Sequence, residues 1–218
     1  MLDLHDWLPK ARLWLVLDRH AAQPRSLDEA ARMCIAGGID AVVCRVKDLP
    51  QEEVRALAIP VRQACEKTRT PFVMSHDIEL AQELQADAIQ LGVGDPPIAE
   101  VRGVLGQGVA IGYSTHSVDE AAARHADGVD YVFLGPIFPT PAKLKYGSPL
   151  GIDVVSAGMN QLNKPVVFIG GITPVNLPDV LEAGGQRVAA IAALQARPDP
   201  QAAAAQFRNL LDGYQTAT

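Results

Sequence analysis

Residues 131–151 read YVFLGPIFPTPAKLKYGSPLG. The first four, Tyr131–Leu134, are apolar and β-branched or aromatic, the length and composition of a buried strand. Gly135-Pro136 ends that strand. Beyond it come three more prolines, Thr140, Lys143 and Lys145 before the next helical pattern begins. A connection of this length inside a compact domain is either functional or a solvated surface loop. Prolines stiffen a backbone, and lysines held on a stiff loop point to an anion.

The strand pattern recurs on both sides of this stretch. Apolar runs of strand length lie at Leu13–Leu17, Ala41–Cys44, 72–74, Ala88–Leu91, 109–113, Tyr131–Leu134, Val166–Ile169 and 188–191, eight in all. Segments with helical spacing separate them, several with start and stop signals. Ser26-Leu27-Asp28-Glu29 and Ser117-Val118-Asp119-Glu120 are capping boxes, in which the serine accepts from an orphan amide and the glutamate reaches back. Thr173-Pro174 supplies an N-cap and a first-turn proline. Gly37-Gly38 and Gly184-Gly185 close the helices before them, and a last helix is expected over 200–214. Eight near-continuous apolar strands alternating with helices predict a parallel sheet covered by helices. Closure into a single (β/α)8 TIM barrel over 1–218 leaves no edge strand; a doubly wound open sheet is the alternative.

Composition narrows the function classes. Hydrophobic residues make up 48% of the chain but aromatics only 5%, which predicts a core of Ala, Val, Leu and Ile. A net charge of −6 argues against a nucleic-acid partner, which needs a basic face. Local lysines and arginines can still hold a small phosphorylated substrate. Cys34, Cys44 and Cys65 are an odd number without CxxC spacing, so neither a disulfide framework nor a zinc cluster is implied. A reducing, cytoplasmic setting is expected. The first twelve residues lack a signal pattern, and no apolar run approaches about 18 residues, so no membrane partner is expected.

In a barrel the chemistry sits at the carboxyl ends of the strands. The residues there are Arg45 and Lys47 after strand 2, and Ser75, His76 and Asp77 after strand 3. Gly92 and Asp95 follow strand 4, and Ser114, Thr115 and His116 follow strand 5. Thr140 and Lys143 follow strand 6, Gly170, Gly171 and Thr173 follow strand 7, and Ile191, Ala192 and Ala193 lie at strand 8. Arg45 and Lys47 alternate with Val46, so on a strand end they face the same way, as an anion clamp or as a surface pair. Gly170-Gly171 precedes a helix, where free amides and the positive helix end suit a phosphate; steric relief is the plain reading. His116 is either a general base or a ligand of its own helix end. Asp95, before Pro96-Pro97, is either a metal ligand or a helix cap, and His76 is a second candidate ligand. Together they read as an anion site with one or two metal ligands.

At these positions the chain resembles the thiamine phosphate synthase/TenI superfamily over nearly its whole length. The segment from Asp130 to Lys143 is similar to the family's DYVGxGPIFPTxTK. Residues 112–117, GYSTHS, match its GxSTHS, and 169–172, IGGI, match its IGGI. Arg45-Val46-Lys47 looks like its REK, and residues 86–92, ADAIQLG, like its ADGVHLG. The resemblance implies a transferase that couples hydroxymethylpyrimidine diphosphate to thiazole phosphate and releases pyrophosphate. It implies that Arg45, Lys47, Thr140 and Lys143 hold the pyrophosphate, with Mg²⁺ at Asp95, and His76 stands at the family's other metal position. Ser114 contacts the leaving group and Ser75 the substrate. The thiazole phosphate lies on the amides of Gly170-Gly171 and Ile191-Ala192. A small homo-oligomer is also implied.

The departures from the family pattern are specific. The family's Asn-Asp pair after strand 3 is Ser75-His76, which replaces a metal carboxylate by an imidazole; Mg²⁺ prefers oxygen. The glutamate of REK is Val46 and the strand-2 glutamine is Val43. The second threonine of TxTK is Ala142, the histidine of HLG is Gln90, and the serine of the strand-8 turn is Ala192. Two other functions therefore stand beside the synthase. One is a TenI-like thiazole tautomerase with His116 as base. The other is a non-catalytic barrel that binds a phosphorylated thiamine precursor.

Overall fold

The computed structural model describes residues 2–140 and 148–214. Its centre is a closed barrel of parallel strands in sequence order: β1 (Leu13–Leu17), β2 (Ala41–Cys44), β3 (Phe72–Ser75), β4 (Ala88–Leu91), β5 (Ala110–Thr115), β6 (Tyr131–Leu134), β7 (Val166–Ile169) and β8 (Val188–Ala190). β8 pairs back onto β1, Leu13 opposite Val188, so the barrel has no edge. The open sheet is thereby excluded. α1 (Leu4–Trp7) precedes β1, and α2 (Arg19–Ala22) and α3 (Leu27–Ala36) follow it. The later crossovers are α4 (Gln51–Thr68), α5 (Ile78–Glu83), α6 (Ile98–Leu105), α7 (Val118–Ala126), α8 (Asp153–Gln161) and α9 (Leu177–Glu182). α10 (Ala192–Gln195) and α11 (Pro200–Gly213) come after β8. Among the described residues no helix is long and apolar enough to cross a membrane.

Strand periodicity divides the apolar residues into two layers. Leu13, Leu15 and Leu17 join the larger cluster between sheet and helices; Trp14 and Val16 join the cluster inside the barrel. The interior also holds Ala41, Val43, Val73, Ala88, Ala110, Tyr131, Phe133, Val167 and Ala189. The buried residues are mostly Ala, Val, Leu and Ile, as the low aromatic content predicts. Four rings meet inside, with Trp14 centred 5.1 Å from Tyr131, 5.5 Å from Phe133 and 5.7 Å from Trp7 of α1, while Phe72, Tyr113, Phe168 and Phe207 lie in the outer cluster. Small residues on the facing strands make room for them. At Gly112 a β-carbon would come within 2.2 Å of the Tyr131 ring.

The opposite, amino-terminal face is fastened by a repeated device. Asp40, Asp87 and Asp130 each stand immediately before an even-numbered strand. Each donates its own amide to the preceding odd strand, to Leu13, Phe72 and Ile111 oxygens at 2.9, 2.9 and 2.7 Å. Each carboxylate accepts the amide of that same residue, at 2.8, 2.9 and 2.7 Å. The aspartate therefore pins strand register at the closed end of the barrel, leaving the other end to carry polar groups.

The helix signals hold with local revisions. Ser26 accepts the Glu29 amide, but its hydroxyl donates to Asp28 at 2.6 Å, so this box is served by its serine half. Ser117 accepts the Glu120 amide at 3.1 Å, and Glu120 reaches one residue further back, to the His116 amide at 2.7 Å. Thr173 is not the cap of α9. That helix begins at Leu177, and Asn176 instead accepts the Thr173 amide at 2.8 Å.

One consequence is a pH dependence of stability. His125 Nε2 is buried without a hydrogen-bond partner among the described residues, and burial, helped by Lys164, holds the ring below its ordinary value of 6.5. The unfolded chain then takes up a proton that the folded chain refuses, so this contribution is complete above about pH 6.5 and lost as pH falls below it. Denaturant midpoints measured from pH 7 to pH 5 should fall more steeply for the parent than for His125→Gln. Equal slopes would refute this.

Candidate active site

Because every strand is parallel, their carboxyl ends form one rim, and Arg45, Ser75, His76, Asp95, Ser114, Thr140, Gly170, Gly171, Ile191 and Ala192 all follow or end strands there. Lys143 lies outside the described residues.

The polar groups after β3 and β4 meet. His76 Nδ1 is 2.5 Å from Asp95 Oδ2, and that same oxygen accepts the Gly92 amide at 2.7 Å. α6 is capped by Pro97 without a side-chain bond, so Asp95 is not a helix cap; it closes its own loop onto His76. Burial holds the His76 imidazole below its ordinary value, and Lys47 and Arg45 push the same way against the pull of Asp95. Arg45 Nη1 is also bound by Asp18 Oδ2 at 3.2 Å. His76 adopts φ +67°, a left-handed conformation that Asn, Asp and His enter more readily than other side chains. Asp77 cannot replace a rim carboxylate, since it caps α5 by accepting the Leu80 amide at 2.9 Å.

β5 supplies the neighbouring wall. Ser114 Oγ accepts from Gln90 Nε2 at 3.0 Å inside the barrel. Gln90 Oε1 and the Tyr131 hydroxyl are both buried without a partner among the described residues, and both lie against Gly112. A polar floor therefore sits beneath the rim among apolar side chains. His116 is half exposed, its ring 3.7 Å from Glu120 of its own helix.

On the far side the loop after β6 lies directly on the Gly170-Gly171 turn. Ile137 and Phe138 donate to Ile169 and Gly170 oxygens at 3.0 and 2.9 Å, and Leu150 returns to Pro136 at 2.8 Å. A β-carbon on Gly170, at φ +101°, would come within 2.5 Å of Pro136. Steric relief accounts for the glycines, while no backbone bond among the described residues uses the amide hydrogens of Gly171 and Ile172. Asn176 takes the Thr173 amide.

Two residues escaped the sequence reading. Asp18, just past β1, binds Arg45 and caps α2 by accepting the His20 amide at 3.0 Å. A polar residue directly after the first strand was the available signal. Gln195, fully buried, donates to the Val16 oxygen at 3.0 Å and accepts the Asp18 amide at 3.3 Å, tying α10 to the end of β1. No sequence pattern marks it.

The model of the thiamine monophosphate synthase family matches residues 13–194. Thiamine-phosphate synthase of Salinibacter ruber is 36% identical over 202 residues, covering 93% of this chain and 89% of that protein. The Methanocella arvoryzae thiamine-phosphate synthase is 33% identical over 202 residues, covering 93% and 95%. Among solved structures, thiamine phosphate pyrophosphorylase from Pyrococcus furiosus superposes with a TM-score of 0.84 at 28% identity, covering 94% and 96%. With barrel, rim and relatives in agreement, the chain belongs to the thiamine monophosphate synthase family.

Proposed function

We propose that this chain is a thiamine phosphate synthase-type transferase in thiamine biosynthesis, coupling hydroxymethylpyrimidine diphosphate to thiazole phosphate. The observation that carries the reading is the placing of Arg45 after β2, and of the His76–Asp95 pair after the adjoining β3 and β4, on one rim of a barrel of this family. The relatives' synthase activity favours it over the tautomerase and the non-catalytic binder.

In this reaction the bond between the pyrimidine methylene and its diphosphate breaks, and the electron pair leaves with pyrophosphate. The thiazole nitrogen's lone pair then forms the new carbon–nitrogen bond. Charge grows on the diphosphate, so fixed cations next to it stabilise the transition state more than the bound substrate. Arg45 and Lys47 take that role, with Thr140 and Lys143 from the loop after β6. Ser114, fixed by Gln90, touches the leaving group, and Ser75 lines the same wall. The thiazole phosphate takes the amides of Gly170-Gly171 and Ile191-Ala192, so the attacking nitrogen is held before the bond breaks. The half-exposed His116 would serve as a base only in the tautomerase reaction.

Mg²⁺ is the metal implied by the family. It prefers near-octahedral oxygen donors and is held by one or two carboxylates plus substrate phosphates. Beside His76 the rim offers the carboxylate of Asp95, with an oxygen already shared by an imidazole and an amide, while Asp18 is held by Arg45. Among the described residues no group of three or more His, Cys, Asp or Glu could hold a metal ion. This donor set does not fit Mg²⁺.

The test is direct. Incubation with both precursors should yield thiamine phosphate and pyrophosphate in equal amounts by chromatography. Neither product in the presence of either Mg²⁺ or Mn²⁺ would overturn the reading.

A further inference from the structure

We infer that Gln195 is a positioning residue for the reaction: its buried side-chain amide holds Asp18, and Asp18 in turn aims the Arg45 guanidinium at the anion. The inference rests on the synthase reading for what Arg45 binds, but its first test needs neither turnover nor ligand.

The barrel seam is uneven. Against β2, β1 pairs as far as Leu17, but against β8 the pairing stops at Leu15 opposite Ala190, where the chain turns towards α10. In a parallel ladder a residue donates to the oxygen before its partner and accepts from the amide after it. Val188, opposite Leu13, donates to Arg12 in this way at 2.8 Å. A residue opposite Leu17 would therefore donate to Val16 and accept from Asp18. Gln195 does both with its side chain, Nε2 donating to the Val16 oxygen at 3.0 Å and Oε1 accepting the Asp18 amide at 3.3 Å. Those partners also fix which way round the amide sits, since an N–H needs the oxygen and a carbonyl needs the NH₂. Gln195 is fully buried, and it completes the ladder that β8 leaves off.

The consequence falls on Arg45. Three bonds fix Asp18: its own amide to Gln195, and its Oδ1 from the His20 and Ala21 amides at 3.0 and 3.1 Å. Oδ2 then meets Arg45 Nη1 at 3.2 Å, the one hydrogen bond this guanidinium makes among the described residues. A long side chain that would otherwise sample many rotamers is held by one nitrogen. Its Nε–Nη2 edge is left for an anion, the planar fork that matches two phosphate oxygens.

Gln195→Met keeps bulk and charge but deprives Val16 and Asp18 of their partner. Asp18→Glu keeps the charge and the bonds of Gln195 to the backbone while lengthening the arm that holds Arg45, and it serves if Gln195→Met fails to fold. In nitrogen-detected NMR of the full chain, Arg45 should give a resolved Nη signal, assigned by its loss in Arg45→Ala. Either variant should merge it with the signals of freely rotating arginines. A parent signal already averaged, or one unchanged in both variants, would overturn the inference. Calorimetric titration with inorganic pyrophosphate gives the functional half. Either variant should raise Kd by about fivefold, but by less than about twofold when Arg45 is already alanine. An equal rise in the two backgrounds would mean that Gln195 acts through stability or through α10 alone, and would overturn the inference. So would a parent that binds no pyrophosphate. Thiamine phosphate formation reports separately on the synthase reading. Coupled pyrophosphate binding without product would leave this inference standing and remove that one; product with uncoupled binding would do the reverse.

Discussion

Replacing Arg45 by alanine is expected to lower turnover by about 10²–10³-fold while leaving the barrel folded. The size follows from the role proposed for this guanidinium. It lies at the carboxyl end of β2, on the rim where the proposed reaction would build negative charge on the departing diphosphate, and its charge is fixed before the reaction begins. Its ground-state partner is Asp18, 3.2 Å away, in a pair whose side chains are 35% and 27% exposed. A pair that open is worth at most about 1 kcal/mol to stability. Asp18 also keeps its amide contacts at the start of α2 after the change. Thermal unfolding of Arg45→Ala should therefore be close to that of the parent. Arg45→Lys keeps a charge but loses the planar fork, so it should recover only part of the rate. Steady-state kinetics decide the point: a loss confined to KM would place Arg45 in substrate capture, and unchanged kinetics would remove it from the site.

The barrel was legible because strand periodicity survives in short runs, and because parallel closure needs no information beyond the order of those runs. Strand ends were less legible. Ser75 and Thr115 read as loop by polarity, yet they pair with Gln90 and Leu134, because the backbone ladder continues through a polar side chain. The aromatic interior was hidden by an average. A 5% aromatic content gives no hint that Trp14, Tyr131 and Phe133 share one cavity, since that depends on which face of each strand turns inward.

The rim divides in the same way. Topology alone carried Arg45, His76, Asp95 and the Gly170-Gly171 turn to one edge. What it could not supply was who binds whom. A histidine at 76 and an aspartate at 95 read as two candidate ligands; the fold spends them on each other, and only the left-handed turn at His76 and the short loop from Gly92 make that contact possible. Asp18 was missed because its importance lies in Arg45, a residue from the next strand.

The largest stability effect should come from the barrel interior rather than the rim. Trp14→Ala is expected to destabilise the fold by about 3–5 kcal/mol. Trp14 is fully buried, stacked among Trp7, Tyr131 and Phe133, and its indole donates to the Ala11 oxygen at 3.1 Å. Its immediate surroundings on the other strands are Ala41 and Ala189, which cannot extend to fill the space. Collapse would require the sheet itself to close up, and register pinned by Asp40, Asp87 and Asp130 opposes that. The loss should appear as a fall in melting temperature of roughly 10 °C for a domain of this size. Trp14→Phe, which keeps a ring in the stack, should lose markedly less. A Trp14→Ala chain melting within a degree or two of the parent would mean the helices outside the sheet, not the rings inside it, set the stability of the barrel.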